Sequence, residues 1–430
     1  MSAFLILIIF VVFAALMFTR KIPALIAVPT MGILIAAAVG TPFPVILNDV
    51  ISAGSIKLAS AYIAVFAGAM LGRVMMQTGI AEGIIKRAAE FGGDKPLVVA
   101  FGLMFVTAVL FTSLTGLGAI IMVGSLVLPI MMSLGIPRKL AGTFFLLAFA
   151  TGFIFNISLI RFYRDILQVA ENAPLPAEIV HFQLLMLGVM SVGTILYTVI
   201  AAKRSPELAL MTAETKDELT DKINDKNAPL ISFVTPLIPL VLYFGFNQYG
   251  WKEVPSFLAG SLFGTIVTQP KRAIQILTSS LIRGLEDGAP AAILMMGIGM
   301  LINALQLPAV KIALEPVIKN LPISSTWSYV LFFGILSPLA LYRGPFNLFG
   351  LGAGFFALLA GAGLIPAIAV LAAAMAIVQL QNVCDPTNTH NVWVANYVGI
   401  RVEELTKSTI LTMIAICFAG LMIGAVLFLK

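Results

Sequence analysis

The sequence predicts an all-α integral membrane protein with two inverted repeats, each of five transmembrane helices plus a re-entrant hairpin. Three observations support this fold class: an apolar composition, a repeat between the two halves, and an asymmetric distribution of lysine and arginine. Of the 430 residues, 60% are hydrophobic and only 11% are charged. Many apolar runs reach the roughly 20 residues that cross a bilayer as a helix. The chain is therefore expected to cross a membrane many times.

Composition also excludes several classes of protein. The two cysteines, Cys384 and Cys417, are too few for a disulfide framework or a metal site. The net charge of +6 does not indicate nucleic-acid binding, because the basic residues flank apolar runs instead of forming one stripe. No Walker loop, HExxH or GxSxG motif occurs. We therefore expect no enzyme, no cofactor and no nucleic-acid partner.

The two halves of the chain resemble each other at an offset of about 230 residues, a spacing that points to an internal repeat. Short matches recur in the same order in both halves, which is harder to dismiss than any single match in so apolar a chain. The matched segments are Ala69–Arg73 with Gly299–Asn303, Gly116–Ala119 with Gly350–Ala353, Leu134–Pro137 with Gly363–Pro366, and Asn156–Ser158 with the Asn382–Asn391 region.

The first repeat is predicted to cover 1–202. Apolar runs define its spans, and polar turns or amides inside a run define the interruptions. In chain order it contains scaffold spans within 1–80 (2–18, 24–40 and 60–80), a hairpin and broken helix within 97–168, and a last span at 181–201. The segment 203–228 is the only long charged stretch and is predicted to be a cytoplasmic linker.

The second repeat is predicted to cover 229–430 and to follow the same series. It contains scaffold spans within 229–307 (229–247, 254–268 and 288–307), a hairpin and broken helix within 326–402, and a last span at 408–428. An amphipathic stretch is expected to lead into the third span of each half. The series of elements is therefore the same in both halves.

Each pair of apolar arms could form either two crossings or one re-entrant hairpin. If both pairs are hairpins, each half has an odd number of crossings and the second half inserts upside down. Cytoplasmic loops are enriched in lysine and arginine, which tests this arrangement. Of the 26 basic residues, 17 fall inside, Arg73 and Arg343 fall in the membrane, and seven fall outside, namely Lys57, Arg161, Arg164, Lys252, Lys311, Lys319 and Lys430. The asymmetry favours two hairpins that enter from opposite faces.

The most informative feature is Asp385, which we interpret as the only acidic residue inside the apolar stretches. It lies in the polar cluster Asn382–Asn391, which interrupts the apolar segment from Ile365 to about Val402. Irregular backbone and a carboxylate are both costly in lipid unless they are buried in protein or line a polar cavity. Discontinuous helices of this kind form the ion and substrate sites of transporters.

Arg343, on the turn of the second hairpin, is the candidate clamp for an anionic substrate. A guanidinium presents a fixed fork of donors that matches a carboxylate. The alternative is that the turn lies shallow enough for the side chain to reach interfacial water. The other candidate substrate-binding residues are polar or small groups at the turns and breaks, namely Ser113, Thr115, Gly116, Asn156, Gly344, Asn347, Asn388 and Thr389.

Asp385 and its neighbours offer oxygen atoms of the kind that hard cations prefer. The candidate Na⁺ ligands are Asp385, Thr387, Asn388 and Ser158. In one alternative, the carboxylate caps the half-helix after Pro386; in another, it carries a proton. His390 could relay a proton or contact substrate, or it could be a hydrogen-bonded residue at the end of the loop.

Four further charged residues occur near the predicted breaks and spans. Arg161 and Asp165 are one helical turn apart and are expected to form a pair. Arg164 is expected to reach the membrane interface. For Arg73, in the third span, we expect an anchoring role or a structural ion pair.

The chain resembles the ion transporter superfamily of secondary carriers, which includes divalent-anion/sodium symporters, citrate and gluconate permeases and C4-dicarboxylate carriers. The local support is Thr112–Gly116 at the first turn and Pro386–Thr389 at the second break, the latter similar to the Ser-Asn-Thr signatures of dicarboxylate symporters. The first half lacks such a triplet, and the second turn reads Tyr-Arg-Gly-Pro-Phe-Asn instead. The resemblance implies a homodimer in the plasma (inner) membrane that works by an elevator mechanism. The first three spans of each half would form the scaffold and dimer surface, and the remaining elements would move.

The function expected on these grounds is symport of an organic anion (a di- or tricarboxylate or a sugar acid) with Na⁺ or H⁺ as the coupling ion. A sodium/proton antiporter of the same superfamily is the first alternative, although it would need no anion clamp. The second is the membrane subunit of a tripartite carboxylate uptake system.

The basic asymmetry predicts that both termini lie outside and that the linker 203–228 lies in the cytoplasm. Single cysteines introduced into the linker should react with membrane-impermeant maleimide only after the cells are opened. A cysteine in the 247–252 loop, predicted to be external, should react in intact cells and serves as the control. Labelling of the linker in intact cells would reject this topology.

Overall fold

The computed structural model of the protein describes residues 2–91, 95–166, 176–204 and 228–429. All regular secondary structure in these ranges is helical. The prediction of an all-α protein is therefore confirmed for the part of the chain that the structure describes. Of the predicted linker, residues 205–227 lie outside the described residues.

Within the described residues, each half has nine helices of nine or more residues, apart from shorter α, 3₁₀ and π segments. The helices of the first half are α1 Ser2–Phe18, α2 Ala24–Ala38, α3 Ala59–Thr78, α4 Ile80–Phe91, α5 Pro96–Phe111, α6 Gly116–Ser133, α7 Arg138–Phe153, α8 Ile157–Ile166 and α9 Ala177–Lys203. The helices of the second half are α10 Ile238–Phe246, α11 Glu253–Thr268, α12 Ala273–Gln306, α13 Pro308–Lys319, α14 Thr326–Leu336, α15 Gly352–Ala362, α16 Ala367–Cys384, α17 Thr389–Val398 and α18 Val402–Phe428.

Short helical segments join some of these helices. A run of α, π and α turns from Phe43 to Ile56 leads into α3, and 3₁₀ turns at Leu230–Leu237 lead into α10. A further 3₁₀ stretch, Ser337–Arg343, follows α14 and contains a kink at Leu341 and Tyr342. The third span of the second half, α12, is longer than the predicted 288–307, because the stretch that precedes it continues as helix, whereas α3 matches the predicted 60–80 closely.

Seven helical segments among the described residues are long and apolar enough to cross a membrane, and α7 with α8 forms an eighth if that bent pair is one span. The break between α7 and α8 bends the pair by 60°. The arms α14 and α15 have 11 residues each, about 16 Å of helix at ~1.5 Å per residue, too short for a core of ~30 Å. The lengths of these arms favour a re-entrant hairpin.

Two sets of helices pack closely. In one, α12 lies along α2, α3 and the turns before α3. Gly284 and Gly299 allow this approach, because an added Cβ would lie 2.7 Å from the Met70 nitrogen and 2.2 Å from the Gly54 oxygen, respectively. Small residues serve the same purpose wherever helices pack within a bilayer. In the other set, α16 packs on α18, and α7 packs on α5.

The half-helices after the two breaks pack against the opposite half of the chain. α8 contacts α10, α11 and α15 of the second half, while α17 contacts α6 and α7 of the first half. Each break is therefore enclosed by helices from both halves. This arrangement brings the polar residues of both breaks into the protein interior.

Candidate functional site

The second break begins where α16 ends, at Asp385. Its backbone is extended (ψ 111°), which is the conformation favoured by a residue that precedes proline, here Pro386. The Asp385 side chain is fully buried. The chain resumes as helix at Thr389, and the polar residues between the two helices are held in a short irregular loop.

The Asp385 carboxylate accepts four hydrogen bonds. Oδ1 accepts from the Tyr342 amide (2.9 Å), the Thr387 amide (2.9 Å) and the Thr387 hydroxyl (2.7 Å). Oδ2 accepts from Nδ2 of Asn347 at 2.8 Å. Hydrogen bonds to an ionised acceptor are stronger than neutral ones. Asp385 therefore joins the turn of the second hairpin to the break between α16 and α17.

The turn of the second hairpin is strained at two consecutive residues. Tyr342 (φ 56°) and Arg343 (φ 59°) both adopt the left-handed conformation, which costs a residue other than glycine about 1–3 kcal/mol. The Tyr342 amide bonded to Asp385 and Arg343 Nη1, which donates to the Phe349 carbonyl at 3.0 Å, help to hold this turn. In this conformation the Arg343 guanidinium reaches the Phe349 carbonyl, six residues further along the chain.

Asn156 joins hairpin and break in the first half, as Asp385 does in the second. Its Nδ2 donates to the carbonyls of Phe111 (2.9 Å) and Leu114 (3.0 Å) at the turn of the first hairpin, and its Oδ1 accepts from the Leu159 amide at 3.3 Å. A neutral amide thus joins hairpin and break in the first half, where the second half uses a carboxylate.

A cavity of about 580 Å³ lies between the turn of the first hairpin, the second break and the turn of the second hairpin. Its aromatic wall consists of Phe111, Phe149, Phe153 and Phe349. It extends to the loop between α1 and α2, where the side chain of Arg20 is 55% exposed. The cavity is therefore open to the surface at this end.

Several of the predicted site residues line this cavity together. They come from both turns and from the second break, and they are Thr115, Gly116, Arg343, Thr387, Asn388, Thr389 and His390. Nε2 of His390 lies 2.8 Å from the Asn382 carbonyl oxygen, and its ring lies 4.8 Å from that of Phe149. Asn388 donates from Nδ2 to the Gln381 carbonyl at 2.9 Å.

The remaining predicted residues lie outside the cavity lining, in contacts that hold the hairpins and breaks. Asn156, Asn347 and Asp385 have the roles described above, and Gly344 lies within the second turn. Ser113 Oγ donates to the Pro236 carbonyl at 2.5 Å, and Ser158 Oγ donates to the Ala64 carbonyl at 3.1 Å. Among the described residues, no group of three or more His, Cys, Asp or Glu side chains could hold a metal ion. A Na⁺ site here would combine the single carboxylate of Asp385 with hydroxyl, amide and carbonyl oxygens.

The interpretation of Asp385 as the only acidic residue inside the apolar stretches is wrong, because Asp287 lies inside the long helix α12 and lines the cavity. The sequence Glu286-Asp287 has the polarity of a surface stretch, and the third span was therefore expected to start at residue 288. Two further carboxylates have little exposure: Asp165 in α8, with 8% of its side chain exposed, and Glu253 at the start of α11, which is 4% exposed.

Asp287 forms a bidentate ion pair with Arg73 of α3. Its carboxylate oxygens accept from Nε at 2.6 Å and from Nη2 at 2.7 Å. This is the structural pair expected as one of two roles for Arg73. The carboxylate also lies against the first turn of α6, where a Cβ added to Gly118 would be 2.3 Å from Oδ2. A negative group is favoured at this position, because a helix N-terminus carries a partial positive charge.

The other charged residues near the first break are also buried. Arg161 Nη2 and Asp165 Oδ1 are 2.9 Å apart, so the expected pair forms. The expectation for Arg164 is wrong: only 4% of this residue is exposed, because α10 and α11 pack against α8. In the sequence, Arg164 lies next to the Arg161–Asp165 pair on a short helix. This pattern does not distinguish a buried arginine from one at the membrane interface.

Two helix N-termini meet at the cavity together with Arg343. Gly116, the first residue of α6, and Thr389, the first residue of α17, both line it. The partial positive charge of the α17 N-terminus adds to the guanidinium charge, whereas the N-terminus of α6 already has the Asp287 carboxylate against it. The aromatic wall supplies an apolar surface beside this positive region. This arrangement suits a small anion with a carbon skeleton.

The fold is similar to that of the YdaH transporter of Alcanivorax borkumensis, whose crystal structure has an unusual topology. The TM-score is 0.58 at 13% sequence identity, and the match covers 89% of this chain and 87% of that chain. No protein-family model matches the chain, and no curated protein matches it in sequence. At this identity the similarity concerns the fold, which is that of a multi-pass, all-helical membrane transporter.

We predict that Asp385→Asn destabilises the folded protein. An amide in place of the carboxylate would remove the charge and turn an NH₂ group toward donors, and hydrogen bonds to a charged group contribute about 1.5–3 kcal/mol each. The expected loss is therefore roughly 3 kcal/mol or more. It would be measured as a lower midpoint of thermal unfolding in detergent.

Asp49→Asn, at an exposed carboxylate, is the matched control and should leave the midpoint unchanged. Equal midpoints for both variants and the wild type would show that Asp385 does not hold the turn.

Proposed function

We propose that this chain is a secondary active transporter that takes up a small organic anion, in symport with a cation, by an elevator mechanism. The observation that carries the proposal is the cavity of about 580 Å³ in which Arg343 and the N-terminus of α17 converge beside an aromatic wall. The fold shared with a membrane transporter supports a carrier over an enzyme. The plasma membrane as its location and the homodimer are part of this proposal.

The inverted repeats of the proposal are supported by the order and lengths of the helices. Helices nine apart in the numbering correspond, and the last pair, α9 and α18, has equal lengths of 27 residues. Asn156 and Asp385 occupy corresponding breaks. An inverted pair of broken helices would place the substrate near the middle of the membrane.

An organic acid fits the cavity better than a cation alone. A bidentate guanidinium fork matches a carboxylate, and helix N-termini favour anions. The aromatic side chains Phe111, Phe149 and Phe153 can pack on the carbon skeleton. A sodium/proton antiporter would need none of these features, so Arg343 argues against that alternative. Counterflow in liposomes with and without a carboxylate would separate the two functions.

The cavity opens at Arg20, in a loop that the topology prediction places in the cytoplasm. The structure then corresponds to an inward-facing state of the transporter. Arg20 also pairs with Glu403, whose Oε1 lies 3.5 Å from Nη2. The topology prediction places both Arg20 and Glu403 on the cytoplasmic side, as a contact between them requires.

We propose Asp287 rather than Asp385 as the proton carrier, with the ion pair to Arg73 opening when the carboxylate takes up a proton. The Asp385 carboxylate is fully buried and occupied by four donors, so a cation that bound it would have to displace one of them. Asp287 lines the cavity, and 15% of its side chain is exposed. A carboxylate that exchanges protons during transport needs such access to water. Na⁺ bound at Asp385, Thr387, Asn388 and Ser158 stays the competing prediction.

The substrate class can be tested by thermal unfolding in the presence of mono-, di- and tricarboxylates, because a ligand that binds the folded state stabilises it. We predict that at least one carboxylate stabilises the wild type and that Arg343→Ala weakens this binding at least tenfold. Arg343→Lys should also be impaired, since an ammonium is not a bidentate fork.

Arg272→Ala, at an exposed arginine, should bind as the wild type does. If Arg343→Ala binds the same carboxylate with unchanged affinity, the anion clamp is wrong. If no carboxylate stabilises the wild type, the substrate class is wrong.

For the coupling ion, we predict that Asp287→Asn removes the pH dependence of uptake in proteoliposomes, because the amide cannot take up a proton. The single change leaves Arg73 without its partner, so Asp287→Asn with Arg73→Gln should also be tested to remove both charges. Substrate binding should persist in at least one of these variants.

An unchanged pH dependence in the double variant would exclude Asp287 as the proton carrier. A dependence of uptake on Na⁺ that Asp385→Asn abolishes, in protein that still folds and binds the carboxylate, would assign the coupling ion to the competing site.

A further inference from the structure

A second large hollow lies on the outer surface of the helices, away from the cavity of the proposed transport site. It is a groove of about 1250 Å³ between α7, α9 and α18. Apolar side chains dominate its lining, and many of them are exposed, among them Leu184 (54%), Val192 (57%) and Leu196 (55%). α9 and α18 are each long and apolar enough to cross a membrane, and α7 is so together with α8, so the groove lies on a surface suited to contact with lipid.

One end of the groove differs from the rest in its chemistry. Lys139 at the start of α7 and Arg204 directly after α9 both line it there. Ser408 near the start of α18 lies at the same end, 3.3 Å from the Thr143 hydroxyl. Two cations from separate helices and a pair of hydroxyls therefore surround one end of an apolar groove.

The geometry of the three helices explains why these groups meet. α9 ends where α7 and α18 begin, so its C-terminal end lies beside their N-terminal ends. From Ser408 the lining continues along α18 to Ile423, about 22 Å at ~1.5 Å per residue. That length exceeds half of the ~30 Å hydrocarbon core. An extended chain that starts at the basic end could lie in the groove through a whole leaflet.

The floor of the groove includes small residues. A Cβ added to Gly188 would meet no atom within 4 Å, whereas one added to Gly193 would lie 2.5 Å from Cδ1 of Ile416. The space above Gly188 is therefore open groove, and Gly193 lets α9 approach α18. A larger side chain at position 188 would fill the groove without displacing a neighbouring helix.

We propose that the groove is a binding site for an anionic phospholipid, with the phosphate at Lys139 and Arg204 and an acyl chain along α9 and α18. Basic pockets between transmembrane helices bind anionic headgroups in this way. A second copy of the chain is a less suitable occupant of the groove. In a twofold-symmetric interface it would bring its own basic end to the same place, and otherwise the two cations would be left without an anionic partner. The charge at one end and the length of the apolar part together favour a lipid.

The test compares phosphatidylglycerol with phosphatidylcholine of the same acyl chains, added to the delipidated full chain and counted by native mass spectrometry. The wild type should retain phosphatidylglycerol in preference to phosphatidylcholine. Lys139→Gln with Arg204→Gln should reduce the retained phosphatidylglycerol at least tenfold. Gly188→Phe should reduce the retention of both lipids, because it blocks the acyl chain. Inorganic phosphate should not displace the bound lipid.

Lys203→Gln with Lys407→Gln is the matched control, since these exposed lysines lie at the same ends of α9 and α18 but outside the groove lining. This control should retain phosphatidylglycerol as the wild type does. Equal retention of the two lipids by the wild type would overturn the proposal, as would an equal loss in the control. A change in oligomeric state without loss of lipid in Gly188→Phe would indicate a second copy in the groove.

Discussion

The buried carboxylate of Asp385 is the contact on which the architecture of the site depends. Its four hydrogen bonds join two irregular segments, the strained turn at Tyr342–Arg343 and the break after α16. Neither segment can satisfy its polar backbone groups alone, and in a membrane such groups cannot turn to lipid. By satisfying them, Asp385 keeps Arg343 beside the loop that carries Asn388 and Thr389. The hydrogen bonds to this charged acceptor thus offset the conformational cost of the strained turn.

The two halves solve the same problem with different chemistry. Asn156 holds the first hairpin mainly by donating to carbonyls, and Asp385 holds the second by accepting from donors. The first solution leaves no charge, whereas the second leaves a negative charge enclosed next to Arg343. The cavity forms between the two halves, where the turn of the first hairpin faces the second break. The two otherwise similar halves therefore differ in charge at the candidate site.

The Asp287–Arg73 pair shows how a membrane protein keeps charges at depth. A lone carboxylate or guanidinium there is costly, but a bidentate pair with a helix N-terminus beside it offsets much of that cost. Gly118 makes this contact possible because a side chain would occupy the position of the carboxylate. The pair leaves one acidic group at the cavity wall, across from the basic turn. The cavity therefore contains both signs of charge in separate places.

The sequence by itself determined the all-helical membrane class, the helical segments and the two polar interruptions, because hydrophobicity, proline and amides act locally. It also predicted Arg343, Asn388 and Thr389 as site residues, because polar residues inside apolar runs are costly in lipid, and all three line the cavity. Only the tertiary structure decided which of these side chains share a cavity and which, like Ser113 and Ser158, bond to a neighbouring helix. Asp287 was missed for the same reason: its burial comes from Arg73 and α6, far away in the chain. Long-range contacts of this kind leave no periodic signal in the sequence.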